Sequence, residues 1–213
     1  MIRTLATCHS ILALSLAGLL SLTPAASQAM EIRGIAKIGF DSGGDTLVNV
    51  PSLSSSTTQK IRANDGLVMA AGISVLNDAR NFAAEATIGW KQTEQGGSIQ
   101  DYKFTRYPLD VLGFYSFPIG ETGKSQLRFG AGPTIHINTE LVESGRLANN
   151  TTNFDNALGV VAQVDGVIAF QGGRWGINAG LRYTNVNYET SGIPAIRAKG
   201  IGIFIGGRFP VGF

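Results

Sequence analysis

Beyond position 29 the chain holds one histidine, His136, and no cysteine, so few side chains are on hand for acid–base or nucleophilic work. A serine nucleophile needs a base within hydrogen-bond reach, and that base needs a third group to orient it. His136 is followed by Ile137 and Asn138, with no serine two residues on. A single histidine without clustered acids supplies no metal set, and no cofactor is expected. Gly130 and Gly132 lie inside an alternating stretch with Pro133 next, which is not the strand-to-helix setting of a phosphate loop. The remaining chemistry-bearing residues are Lys37, Glu85, Lys91, Arg106, Asp110, Arg128, His136, Asp165, Arg182 and Arg208. Each sits in a stretch where polar and apolar residues alternate, so all ten fall on the polar face of strands. Charges enclosed on such a face must pair or be hydrated. The expected chemistry is ion pairing, with Glu85 and Asp110 meeting Arg106, Arg128 or Arg182. Bases outnumber acids in the set, so any leak past it should favour anions.

The elements that carry these residues follow from period-two patterning. In 199–213, Ile201, Ile203, Ile205, Gly207, Phe209, Val211 and Phe213 share one face, and the other is mostly glycine with Arg208. Similar alternation predicts strands at about 31–40, 66–77, 82–94, 103–117, 126–139, 157–170 and 174–189, with Thr134, His136 and Asn138 all on the polar face of the fifth. Between them lie polar segments at 41–65, 95–102, 140–156 and 190–197, read as long loops, and short turns at 78–81, 118–125 and 171–173. That makes eight strands whose connections alternate long and short. A helical face, with apolar residues three and four apart, is not sustained anywhere.

Residues 1–29 carry Arg3, an apolar run from Ile11 to Leu22 and small residues at Ser27 and Ala29. The run is too short to span a bilayer as a helix and reads as an export signal, cleaved after Ala29. Cys8 precedes that run, so no lipid attachment is expected there. The domain plan is a signal peptide over 1–29 and one β-barrel over 30–213. Setting aside Arg3, the 17 basic residues against 15 acidic ones come close to balance, which argues against a nucleic-acid partner. A soluble sandwich would turn its polar face to water. Here the apolar face is almost free of charge on all eight strands, and the polar face lacks the large apolar residues a core needs. The fold class is therefore an all-β, eight-stranded antiparallel up-and-down transmembrane barrel. From Phe82 to Trp90 a strand rises roughly 26 Å at about 3.3 Å per residue. Tilted by about 40°, it covers most of an apolar band of about 25 Å. Aromatic residues mark both edges: Phe82, Phe117, Phe170, Trp175 and Phe213 at one, Phe40, Trp90, Tyr107 and Tyr183 at the other.

The signal peptide, the eight alternating strands and the terminal phenylalanine resemble the small outer-membrane barrels of the OmpA/OmpX-like kind, over residues 31–213. The resemblance implies export to a bacterial outer membrane with both termini periplasmic, and contact with outer-membrane lipid and lipopolysaccharide. It also implies recognition by periplasmic chaperones and the barrel-insertion machinery through Phe209, Val211 and Phe213, although Val211 stands where an aromatic is commoner. Some small barrels process lipid A with a His-x-Ser pair, which His136 does not complete, so no enzyme is expected. The expected role is a barrel closed by its internal charges, serving envelope integrity or binding an extracellular ligand through loops 41–65 and 140–156. The alternative is a narrow, anion-leaning channel, and a third reading is a lipid A-modifying enzyme.

Overall fold

Alternating β-branched, aromatic and small residues make strands because successive side chains point to opposite faces. The computed structural model describes residues 30–50, 59–77, 80–96, 100–120, 125–146, 149–170, 175–191 and 193–211. Residues 1–29, read above as an export signal, the turn at 171–173 and Phe213 lie outside the described residues. The strands are β1 (Glu31–Gly43), β2 (Thr46–Val50), β3 (Gln59–Arg62), β4 (Gly66–Leu76), β5 (Phe82–Gly96), β6 (Gln100–Ile119), β7 (Ser125–Gly145), β8 (Asn150–Phe154), β9 (Ala157–Phe170), β10 (Trp175–Thr190) and β11 (Ile193–Pro210). Eight of them form a closed antiparallel ring in the order β6, β5, β4, β1, β11, β10, β9, β7, with β7 returning to β6. Closure of the chain's two ends runs from Arg33 opposite Pro210 to Gly43 opposite Gly200. Strand β8 prolongs β9 and pairs with the upper part of β7, and β2 and β3 form a separate hairpin.

The ring has an apolar outside. Ile201, Ile203 and Ile205 are 61%, 64% and 54% exposed, and similar residues project from every stave. Phe82, Tyr115, Phe117 and Phe129 form a contiguous aromatic run at the end of the barrel bearing the termini and short turns. Phe209 lies over Gly34 on the outer surface, where glycine leaves room for the ring. A continuous apolar belt of this extent is a lipid-facing surface, since water would penalise it at roughly 25 cal/mol per Å². Closure leaves no unpaired edge within that belt, which is the requirement for strands in hydrocarbon.

Two expectations need correction. The segments 41–65, 95–102, 140–156 and 190–197, read as loops, are in large part strand: β1 reaches Gly43, β6 starts at Gln100, β7 reaches Gly145 and β11 starts at Ile193. Above the belt the outer face meets water, so its residues turn polar and the apolar alternation fades while backbone pairing continues. The second correction concerns Asn138, which is exposed instead of inward. Thr105 pairs with Glu140 and Tyr107 with Ile137, so Asn138 and Thr139 together oppose Arg106. This is a β-bulge, and Asn138 takes its left-handed conformation at φ 48°. Beyond it the parity reverses, and Thr139 and Leu141 are buried.

Candidate functional site: the barrel interior

Side chains pointing into the ring stack in layers, beginning near the terminal end. There Leu76, Ala83, Leu112, Phe114 and Val161 form a small apolar cluster. Above it sits Glu85, 1% exposed and shared by three cations. Lys37 Nζ donates to Glu85 Oε2 at 2.8 Å, Arg128 Nη1 to Oε1 at 2.7 Å, and Arg208 Nη2 also to Oε1. These cations come from β1, β7 and β11, so the contacts cross the bore. Arg128 also grips Asp165 through Nε at 2.7 Å and Nη2 at 2.5 Å, a two-pronged geometry that a guanidinium fork favours. Gln163 and Asn178 donate to the same Asp165 carboxylate at 2.8 and 3.2 Å. The Arg128 guanidinium lies 4.3 Å from the Phe114 ring centroid.

Midway up, Arg182 Nη1 donates to Asp110 Oδ2 at 2.9 Å. Between the layers remains a cavity of about 20 Å³ lined by Lys37, Asp41, Thr87, Gln163, Arg182 and Phe204. That is room for a water molecule. Higher still, Lys91 Nζ donates to Asp41 Oδ2 at 2.6 Å and to Asn64 Oδ1 at 2.8 Å. His136 Nδ1 and the Tyr188 hydroxyl are hydrogen-bonded at 2.5 Å.

At the end bearing the long connections, described parts of the 41–65 segment lie across the mouth. Gly44 and Gly66 have φ values of 86° and 142°, conformations that let the backbone turn over the mouth. The segment Ala63–Asp65 drops inside, where Ala63 and Asn64 are fully buried. Arg106 donates to the carbonyls of Ala63 and Asp65, the latter at 2.5 Å from Nη2, and its guanidinium lies 4.3 Å from the Phe104 centroid. Over this anchor Ala63, Phe104, Leu141, Phe154, Ala157, Val186, Tyr188 and Ala198 form an apolar lid, with Leu47 and Val48 of β2 packed on it.

All ten residues of the polar face thus lie inward, but their partners differ from simple neighbour pairing. Among the described residues Arg106 meets backbone carbonyls and no carboxylate, and Glu85 serves Lys37 and Arg208 as well as Arg128. Five polar members were outside the set: Asp41 and Asn64, assigned to a loop, Gln163 and Asn178, which carry no charge, and Tyr188. Parity would have found Asp41, four residues from Lys37 on the same strand. His136 faces Tyr188 inside the bore, away from the lipid-facing surface. Among the described residues no group of three histidine, cysteine or acidic side chains is placed to hold a metal.

A closed antiparallel ring of eight strands, apolar outside and charged within, defines an outer-membrane-type β-barrel protein. The fold is shared with the crystal structure of Neisserial surface protein A (NspA), at a TM-score of 0.50 and 13% identity, covering 87% of this chain and all of that one. No family model and no curated protein matches the sequence.

Proposed function

We propose that the protein is an integral outer-membrane barrel whose bore is closed, acting in envelope integrity or surface interaction through the end that carries the long connections. The observation that supports this most directly is Glu85 held between Lys37, Arg128 and Arg208 across the bore. The apolar lid adds a second seal. Even strand number puts both termini on one side, the periplasmic one in this reading, with Phe209 and Val211 part of the signal offered to chaperones and the insertion machinery. Lipid and lipopolysaccharide cover the belt. No catalytic role is assigned, since the one buried histidine is engaged by a tyrosine.

Single-channel recording on the refolded protein in a planar bilayer tests closure. Wild type should give no steps, and a Glu85→Ala, Asp110→Ala variant should open, because unpaired like charges repel and draw in water. Steady wild-type steps would replace this reading with the second one, a narrow channel. That alternative draws on one observation: among the described residues Lys37, Lys91, Arg106, Arg128, Arg182 and Arg208 outnumber Asp41, Glu85, Asp110 and Asp165 inside, with Arg33 matched by Glu31, so its current would be carried by anions.

A further inference from the structure

Just above the apolar belt, the outer surface changes character around the circumference. On β11, Arg197 and Lys199 are exposed on the same face as Ile201, Ile203 and Ile205 directly below them. Next to β11 runs the chain at Asp45, whose backbone N–H donates to the Arg197 carbonyl at 2.8 Å. Next to that runs the end of β3, since Ala63 N–H donates to the Asp45 carbonyl at 2.8 Å. Ala63 and Ala198 both point into the lid, so by alternation Arg62 and Lys60 point outward with Arg197 and Lys199. Two strand spacings separate Arg62 from Arg197, roughly 10 Å and within reach of two arginine side chains converging on one ligand.

None of these four cations makes an ion pair among the described residues. Asp45 and Asp65 nearby are already hydrogen-bonded: Asp45 Oδ2 accepts from Arg197 N at 2.9 Å, and Asp65 Oδ1 from Gly43 N at 2.9 Å and Ser42 Oγ at 3.0 Å. On the far side of the rim Glu94 and Asp101 are exposed beside Lys103, while exposed Glu189 of β10, with Asp155 bonded to its backbone, flanks β11 on the side away from Arg62. An anionic ligand is therefore directed to one sector. The patch sits where lipid headgroups meet the belt, a depth at which basic side chains attract anionic headgroups.

We propose that Lys60, Arg62, Arg197 and Lys199 form a site for a phosphorylated lipid headgroup, its acyl chains lying along Ile201, Ile203 and Ile205. The inference rests on the membrane-barrel reading above and assigns the phosphorylated headgroup of its lipopolysaccharide to four named residues. The probe is bisphosphorylated lipid A, offered to the refolded barrel in zwitterionic micelles, with retained lipid counted by native mass spectrometry. Wild type should retain it at least tenfold better than Arg197→Gln, Lys199→Gln, and better than the dephosphorylated lipid by a similar factor. A Lys103→Gln, Arg146→Gln variant on the opposite rim should bind like wild type. Heat-shifted gel mobility checks folding; should the β11 variant not fold, Lys60→Gln, Arg62→Gln on the hairpin serves, with the same loss expected. Equal retention by the folded patch variants overturns the proposal. So does full displacement by millimolar inorganic phosphate, which marks a free-phosphate site. Failure of the wild-type barrel to insert into lipid vesicles at all strikes instead at the membrane reading.

Discussion

Glu85 holds three cations with one carboxylate, and the energetics of that arrangement are asymmetric. A buried pair gains little over a well-packed apolar replacement, but removing one partner strands the other's charge at a cost of about 3–5 kcal/mol. Arg128 keeps Asp165 when Glu85 is removed, and Lys37 keeps Gln163. Arg208 is bound to no acid among the described residues other than Glu85. Glu85→Ala should therefore lower unfolding stability by about 3–5 kcal/mol in a urea titration of the lipid-inserted barrel. Adding Arg208→Leu should return part of that loss. If the second change costs further stability, stranding of Arg208 is not the cause.

At the scale of elements, the bulge between β6 and β7 redirects a strand at one residue. Asn138→Gly should be tolerated, whereas Asn138→Val forces a branched side chain into the left-handed region at about 1–2 kcal/mol, read as a drop in thermal midpoint. Equal behaviour of the two variants would falsify the role given to this conformation. The same residue shows what the sequence could and could not reveal. Period two carries every stave through the belt, because lipid outside and polar side chains inside force alternation residue by residue. It carries the inward side of the ten charged positions for the same reason. A bulge leaves no mark in hydropathy, so Asn138 falls on the wrong face. Above the belt both faces are polar or mixed, and segments such as Gln100–Tyr102 and Glu140–Gly145 look like loop while pairing as strand. Partner choice is also hidden, since Lys37 and Glu85 are 48 residues apart and meet only across a closed ring.

For the molecule as a whole, the proposed closure of the bore has two parts of different chemistry. The ionic layers lie within the belt, and the lid of Ala63, Phe104 and Tyr188 lies above it, anchored through Arg106. They should fail separately. Arg106→Ala removes both bonds to the Ala63–Asp65 backbone, and trypsin cleavage after Arg62 should speed up by tenfold or more. The barrel should still pass no current, because the Glu85 layer is untouched. Current through this variant would mean that the lid alone does the sealing.

Glu85 belongs to β5, while Lys37 and Arg208 belong to β1 and β11, the first and last staves of the ring. The carboxylate therefore acquires its full complement only after the chain's two ends have met. Until then each of these charges faces an open trough and keeps its water. Zipping the final seam and drying the centre become one event, so a half-closed sheet has no comfortable resting place. A cell inspecting newly made barrels could tell finished from unfinished ones by whether those charges are still wet.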